Sequence, residues 1–86
     1  MVLGTWQSST SEPARIGVIT ARRTGTAVER NRARRRIREI FRVHRSLLPG
    51  GLWMVVVLRR AAVGATFAAL TEEWRALAAR AGYLKA

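Results

Sequence analysis

The alternation of apolar and polar positions divides the chain into five segments with two different periods. Residues 2–6 (VLGTW) are a short β-prone piece, followed by a polar, turn-rich stretch at 8–13 (SSTSEP) whose proline discourages continuation of strand or helix. Residues 15–20 (RIGVIT) read as a second strand, and 22–27 (RRTGTA) as a loop with Gly25 as its turn residue. From about 28 to 48 the period changes. Val28, Ala33, Ile37, Ile40, Phe41, His44 and Leu48 follow steps of mostly three and four, the spacing of one helix face, and Leu-Pro-Gly-Gly at 48–51 stops it. Residues 52–59 (LWMVVVLR) are β-branched and apolar on both alternating sets, which predicts a central strand covered on at least one face by helices. A second helix closes the chain, with Thr66 as its cap, Phe67, Leu70, Trp74, Leu77, Ala78 and Ala81 as its apolar stripe, and Gly82 as its end. The predicted order is β-β-α-β-α, without repeats or a low-complexity linker.

At 86 residues the chain is expected to form a single domain with a thin core, and with no cysteine it has neither disulfide nor thiolate metal site to staple it. That composition suits a reducing cytoplasm. The longest apolar run, residues 50–58, is far short of the roughly 18 to 20 residues a membrane span needs, and no targeting segment is recognisable, so a soluble protein without a membrane partner is expected.

Charge changes the picture most. Sixteen Lys and Arg stand against five Glu, for a net charge of +11, and the excess is concentrated: residues 15–60 hold thirteen arginines against Glu29 and Glu39. Such a segment is expected to bind a polyanion, most often nucleic acid. Seven of those arginines fall in residues 27–42, on the segment that also carries the regular apolar positions. One helix therefore serves both core and ligand: its apolar set docks on the sheet, while Arg30, Arg34, Arg38 and Arg45, flanked by Arg32, Arg35, Arg36 and Arg42, ring the rest. An ordinary solvated helix interleaves acids at i,i+4, whereas here only Glu39 offers pairs, to Arg35 or Arg42. Asn31 reads equally as a helix N-cap or as a neutral contact between two arginines.

The run RIGVITARRTGTAVERNRARRRIREIFR, residues 15–42, resembles the signature of the bacterial ribonuclease P protein component, the basic subunit that accompanies a catalytic RNA in maturing the 5′ end of precursor tRNA. The matching elements are Ile16-Gly17-Val18, Arg22-Arg23, Gly25, Ala27-Val28, Arg30-Asn31-Arg32, Arg34-Arg35-Arg36 and Arg38-Glu39, in order and without gaps. Less specifically the likeness extends over residues 15–84. It implies an α+β domain with a small mixed sheet, in which the basic helix crosses between parallel strands with a left-handed connection, unusual because such crossovers are nearly always right-handed. It also implies RNA contacts at Arg22, Arg23, Arg30, Asn31, Arg32, Arg34, Arg35 and Arg38, and a cleft between sheet and helices for the single-stranded 5′ leader of precursor tRNA. The implied partners are the catalytic RNA and that leader, with the protein a monomer in the complex and Mg2+ supplied through the RNA rather than a protein site. Ala21, Thr26 and Glu29 depart from the pattern, where the family commonly has a serine, a basic residue and no acid. The family has a helix before its first strand; here MVLGTWQ reads as that strand, so either the start is mis-assigned or one wall of the cleft is absent, and the chain as it stands is expected to have low thermal stability.

Remaining residues take structural roles by default. His44 is expected to pack on the apolar face; Trp6, Trp53 and Trp74 are expected in the core, with stacking on a leader base the alternative for Trp6. Glu72 and Glu73 are adjacent on a helix and cannot jointly clamp a metal. Three functions compete: a protein cofactor of an RNA enzyme, a structural RNA-binding protein such as a ribosomal one, and a self-sufficient nuclease. The last ranks lowest, because acid–base or two-metal chemistry needs clustered carboxylates or histidines. No catalytic residue of the protein's own is expected.

Overall fold

Residues 1–21 and 23–84 are described by the computed structural model. Three strands form one mixed sheet in the order β1-β3-β2, where β1 is Val2–Gln7, β2 is Arg15–Thr20 and β3 is Leu52–Leu58. The β-branched run of β3 takes the centre, antiparallel to β1 and parallel to β2. A parallel neighbour cannot be reached by a tight turn, so the chain crosses over through helix α1, Ala27–His44, and a 3-10 turn at Arg45–Leu47 before re-entering the sheet. A one-turn helix α2, Arg60–Val63, which the periodicity does not predict, leads into α3, Phe67–Arg80. The fold is α+β, as expected.

The two-residue period of β3 sends Leu52, Met54, Val56 and Leu58 to one face, where all four are fully buried. They join Ala33, Ile37, Ile40 and Phe41 of α1, Ala62 and Val63 of α2, and Leu70, Trp74 and Ala78 of α3 in a single core. His44 packs there too, its ring 5.1 Å from that of Trp74. Val28 departs from the predicted stripe and is 67 % exposed. The five-residue step from Val28 to Ala33 already breaks the helical spacing, so Val28 points away from the sheet. Phe67 and Ala81 likewise lie outside the buried stripe of α3.

Local chemistry sets the ends of these elements. Thr26 caps α1: its hydroxyl accepts from the Glu29 N–H at 3.1 Å, and the Glu29 carboxylate accepts from the Thr26 N–H at 3.0 Å. Two of the three departures from the family pattern, Thr26 and Glu29, are thus a reciprocal capping box, and Asn31, well inside the helix, is not the cap. Thr66 caps α3 as expected, accepting from Ala69 N–H at 3.1 Å. At the other end Gly82 turns left-handed (φ 90°) while Tyr83 N–H donates to the Ala78 carbonyl at 2.9 Å. Gly51, at φ 77°, lets residues 8–12 close over the entry to β3: Ser8 N–H donates to its carbonyl at 2.9 Å and its own N–H donates to Glu12 at 2.6 Å.

The opposite face of the sheet carries no helix among the described residues. Strand register lines up three rows across it: Trp6, Trp53 and Arg15; Gly4, Val55 and Gly17; Val2, Val57 and Ile19. Trp6 is 68 % exposed and Trp53 40 % exposed, which overturns the expectation of two core tryptophans. Strand alternation is the reason: only one of the two apolar sets of β3 faces the helices. Trp74 is the core tryptophan.

Candidate nucleic-acid interface

An eighteen-residue helix with one buried stripe leaves two flanks and an outer face for its seven arginines, and α1 uses all three. On one flank Arg34 donates through Nη2 to the Thr20 hydroxyl of β2 at 3.1 Å and is half-buried, while Arg45, just past the helix, donates through Nε to the Ala14 carbonyl at 2.9 Å. On the other, half-buried Arg36 donates to the Ala65 carbonyl at 2.7 Å. These side chains bolt the helix to β2, to the loop before it, and to the link into α3. Their aliphatic stems cover apolar surface at the same time.

The outer face holds Val28, Asn31, Arg32, Arg35 and Arg38, all exposed, at steps that keep them on one side of the helix. Val28, Asn31, Arg32 and Arg35 line a shallow hollow of about 300 Å³. Farther along, Glu39 accepts a two-pronged pair of hydrogen bonds from Arg42, Nε at 2.9 Å and Nη2 at 2.7 Å, so it engages Arg42 rather than Arg35. Among the described residues, Arg32, Arg35 and Arg38 have no carboxylate partner. Three like charges on adjacent turns repel by tenths of a kcal/mol per pair, which a phosphate backbone would relieve.

The expected contact residues therefore divide. Asn31, Arg32, Arg35 and Arg38 share the free face. Arg30 is half-buried with Nη1 a long 3.5 Å from the Gly25 carbonyl, and Arg34 is engaged with Thr20. Arg23 is exposed in the loop before the helix, in a left-handed conformation (φ 61°). Arg22 lies outside the described residues.

Two arginines that sequence reasoning did not single out join this group. Because β2 and β3 run parallel and Thr20 pairs with Leu58, the chain leaves both strands at the same sheet end, so exposed Arg59 and Arg60 start from the sheet end at which the loop carrying Arg23 begins. Ala21 N–H donates to the Leu58 carbonyl at 3.1 Å and holds the two exits together. The only sequence signal was the charge itself, since strand register is not written in it.

Carboxylates are mostly committed elsewhere. The Thr26 backbone and hydroxyl, and Arg32 more weakly, hold the Glu29 carboxyl below its usual range. The Arg42 guanidinium does the same for Glu39. Glu12 pairs with Arg15 at 3.1 Å and Glu73 with the chain's first amino group at 2.6 Å. His44 is engaged at both nitrogens, Nδ1 on the Ile40 carbonyl at 2.7 Å and Nε2 at 3.2 Å from Arg75 Nη1.

The open sheet face forms a second, different surface. Trp6, Trp53, Gly4, Thr5 and Val55 bound a cavity of about 530 Å³, and the Arg15 guanidinium lies 5.5 Å above the Trp53 ring. It offers flat aromatic groups beside a cation, the pairing that single-stranded nucleic acid uses.

Comparison with known proteins places this geometry. A family model described as Ribonuclease P matches residues 1–82. The ribonuclease P protein component of Gluconacetobacter diazotrophicus is 44% identical over 73 residues, which is 84% of this chain and 63% of that protein. The one from Symbiobacterium thermophilum is 40% identical over 73 residues, 85% of this chain and 64% of that protein. The chain thus spans somewhat under two thirds of the length of these relatives. Among solved structures, a Staphylococcus aureus RNase P protein mutant with defective mRNA degradation activity superposes with a TM-score of 0.82 at 28% identity, covering 93% of this chain and 67% of that one. The RNase P protein from Thermotoga maritima does so with a TM-score of 0.78 at 27% identity, covering 91% and 74%.

Proposed function

This chain belongs to the ribonuclease P protein family, and from that premise we propose that it is the RNA-binding protein subunit of a ribonucleoprotein that removes the 5′ leader from precursor tRNA. The observation that carries this is the outer face of α1, where Asn31, Arg32, Arg35 and Arg38 stand exposed and the arginines lack carboxylate partners among the described residues. These side chains meet the phosphates of the catalytic RNA. The Arg23, Arg59 and Arg60 end of the sheet extends the same basic surface, and Arg34 and Arg36 hold the helix in place for it.

The single-stranded leader lies on the open sheet face, not between sheet and helices as expected, because that space is filled by the core; its bases lie against Trp6 and Trp53 and its backbone near Arg15. Hydrolysis belongs to the RNA, with Mg2+ bound there. Four of the five carboxylates support this division, since Glu12, Glu29, Glu39 and Glu73 each bind a partner within the protein, which leaves Glu72 alone uncommitted among the described residues. The protein lowers the magnesium requirement, because a basic bridge between two polyanions replaces part of their counterion screening. It works as a monomer in the complex, in the cytoplasm. No helix among the described residues is long and apolar enough to cross a membrane.

The test is reconstitution with a cognate catalytic RNA. Protein stripped of RNA should not cleave precursor tRNA at any divalent-metal concentration. Added to the RNA, it should lower the magnesium needed and favour substrates with a leader over those without. Cleavage by RNA-free protein, or an unchanged magnesium requirement, overturns the proposal.

A further inference from the structure

The last turn of α1 and the last turn of α3 meet at a cavity that the RNA surfaces above do not use. It has a volume of about 560 Å³ and is lined by His44, Leu47, Arg75, Gly82, Tyr83 and Leu84. That volume lies within the range of small-ligand sites, and the lining is of the kind they have: apolar and aromatic walls with a few fixed polar groups. One wall is rigid. The His44 ring is buried against Trp74, and its Nδ1 is tied to the Ile40 carbonyl at 2.7 Å. With Nδ1–H donating there, Nε2 accepts from Arg75 Nη1 at 3.2 Å. This bond pins an otherwise mobile guanidinium at the cavity by one nitrogen and leaves its Nε and Nη2 edge available. Among the described residues no carboxylate lines the cavity. One layer behind, the buried indole N–H of Trp74 has no hydrogen-bond partner.

These features select among anionic and acceptor-bearing guests. A pinned guanidinium calls for a pair of acceptors. A bare phosphate would leave the apolar and aromatic walls of Leu47, Tyr83 and Leu84 unused. A flat, uncharged ring with two adjacent acceptors on one edge meets both conditions, stacking on Tyr83 and against Leu47 and Leu84. Unstacked bases of RNA are bound in this manner, on aromatic faces with hydrogen bonds along an open edge, and guanine presents O6 and N7 to arginine as a matched pair.

We propose that this cavity is a base-binding pocket for an unstacked guanine of the RNA partner, with Arg75 reading its O6/N7 edge and Tyr83 stacking on its ring. The proposal rests on the RNA-binding function but concerns a different surface. The α1 face binds phosphates without regard to sequence, whereas this pocket adds a preference for one base.

Two measurements on the full chain test it. In the first, NMR follows the His44 and Tyr83 rings during titration with guanosine 5′-monophosphate, with ribose 5-phosphate and cytidine 5′-monophosphate as controls. Saturable shifts with the guanosine nucleotide, about tenfold weaker or absent with the controls and lost in Arg75→Gln, are expected. Equal shifts with ribose 5-phosphate would show a phosphate site and overturn the proposal, as would shifts confined to Arg32 and Arg35. In the second, wild type and Arg75→Gln bind a uridine oligonucleotide with or without one guanine. Wild type should prefer the guanine-containing strand by about fivefold or more, and the variant should lose that preference while keeping the wild-type salt slope, since a base contact releases no counterion. A preference that survives Arg75→Gln, or a slope that falls by about 0.7, overturns it. Tyr83→Leu, which keeps an apolar wall but removes the stacking ring, checks the result independently of any effect of Arg75 on folding. General RNA affinity with no guanine preference refutes the pocket and leaves the subunit function standing; weak, salt-independent RNA binding refutes the function without touching the mononucleotide result.

Discussion

Replacing Arg32, Arg35 and Arg38 together by glutamine separates binding from folding on a single helix. All three are exposed and in no salt bridge among the described residues, so their removal costs only the weak attraction between Arg32 and Glu29 and relieves mutual repulsion. Each cation that neutralises an RNA phosphate contributes about 0.7 to 0.9 to the magnitude of the slope of log affinity against log salt. The triple variant should therefore lose about 2 to 2.7 of that slope. If the two proteins bind alike near ~1 M salt, the variant is weaker by about 50- to 170-fold near ~0.15 M. Filter binding to the catalytic RNA over a salt series gives the slope, and thermal melting tests that the fold is intact. Arg36→Gln is the internal control: this guanidinium sits on the same helix but donates to the Ala65 carbonyl at 2.7 Å, so its loss should lower the melting temperature and leave the slope unchanged. A triple variant with the wild-type slope, or an Arg36→Gln slope reduced as much as by an outer-face arginine, would falsify the assignment of faces.

Other changes have equally definite outcomes. Thr26→Ala removes the α1 cap, which should lower stability by about 1 kcal/mol and the melting temperature by about 4 to 8 °C, without changing the salt slope. Because Thr26 holds the Glu29 carboxyl below its usual range, Glu29 stabilises the fold above the ordinary carboxylate pKa and loses that contribution as pH falls through the lower folded value. Glu29→Gln should therefore flatten the acid side of a plot of melting temperature against pH, and an unchanged profile would count against the capping box. Gly51→Ala should unfold the entry to β3, since a Cβ there would lie 2.6 Å from the Thr10 carbonyl oxygen and φ is 77°; Gly17→Ala, with nothing within 4 Å, should melt like wild type. Trp6→Ala and Trp53→Ala should each weaken binding of single-stranded leader by about 1 to 3 kcal/mol with little loss of stability. A large drop in melting temperature for Trp6→Ala would return it to the core.

Much of this arrangement is local and therefore legible in the chain. The 3.6-residue period places Ala33, Ile37, Ile40, Phe41 and His44 on one face, and all five are buried, because a helix is specified by neighbours three and four residues apart. The same arithmetic could have excluded Val28. Thr26 and Glu29, a capping pair readable from their spacing alone, stood out at first only as departures from the family pattern. The β-branched run of Leu52–Leu58 indicates a central strand, and the unbalanced arginines of residues 27–42 indicate a helix suited to a polyanion.

What the sequence left open depends on contacts between segments far apart in it. Periodicity could not say which arginines of α1 would be free, since Arg34 and Arg36 are claimed by Thr20 and Ala65, fourteen and twenty-nine residues away. It could not say which apolar set of β3 would meet the helices, and so left Trp6 and Trp53 in the core by default. Strand order and register decided that, bringing Trp6, Trp53 and Arg15 into one row on the uncovered face. The same register brought the exits of β2 and β3, and with them Arg23, Arg59 and Arg60, to one end of the sheet, and the meeting of α1 with α3 made the His44–Arg75 cavity. The sequence by itself determined the three strands, the two long helices and the sign of the partner they attract, because propensity, capping and charge act over a few residues; the single turn of α2 is too short to show a period. Only the tertiary structure decided which side chains share a surface, because that follows from how the whole chain buries its apolar area at once.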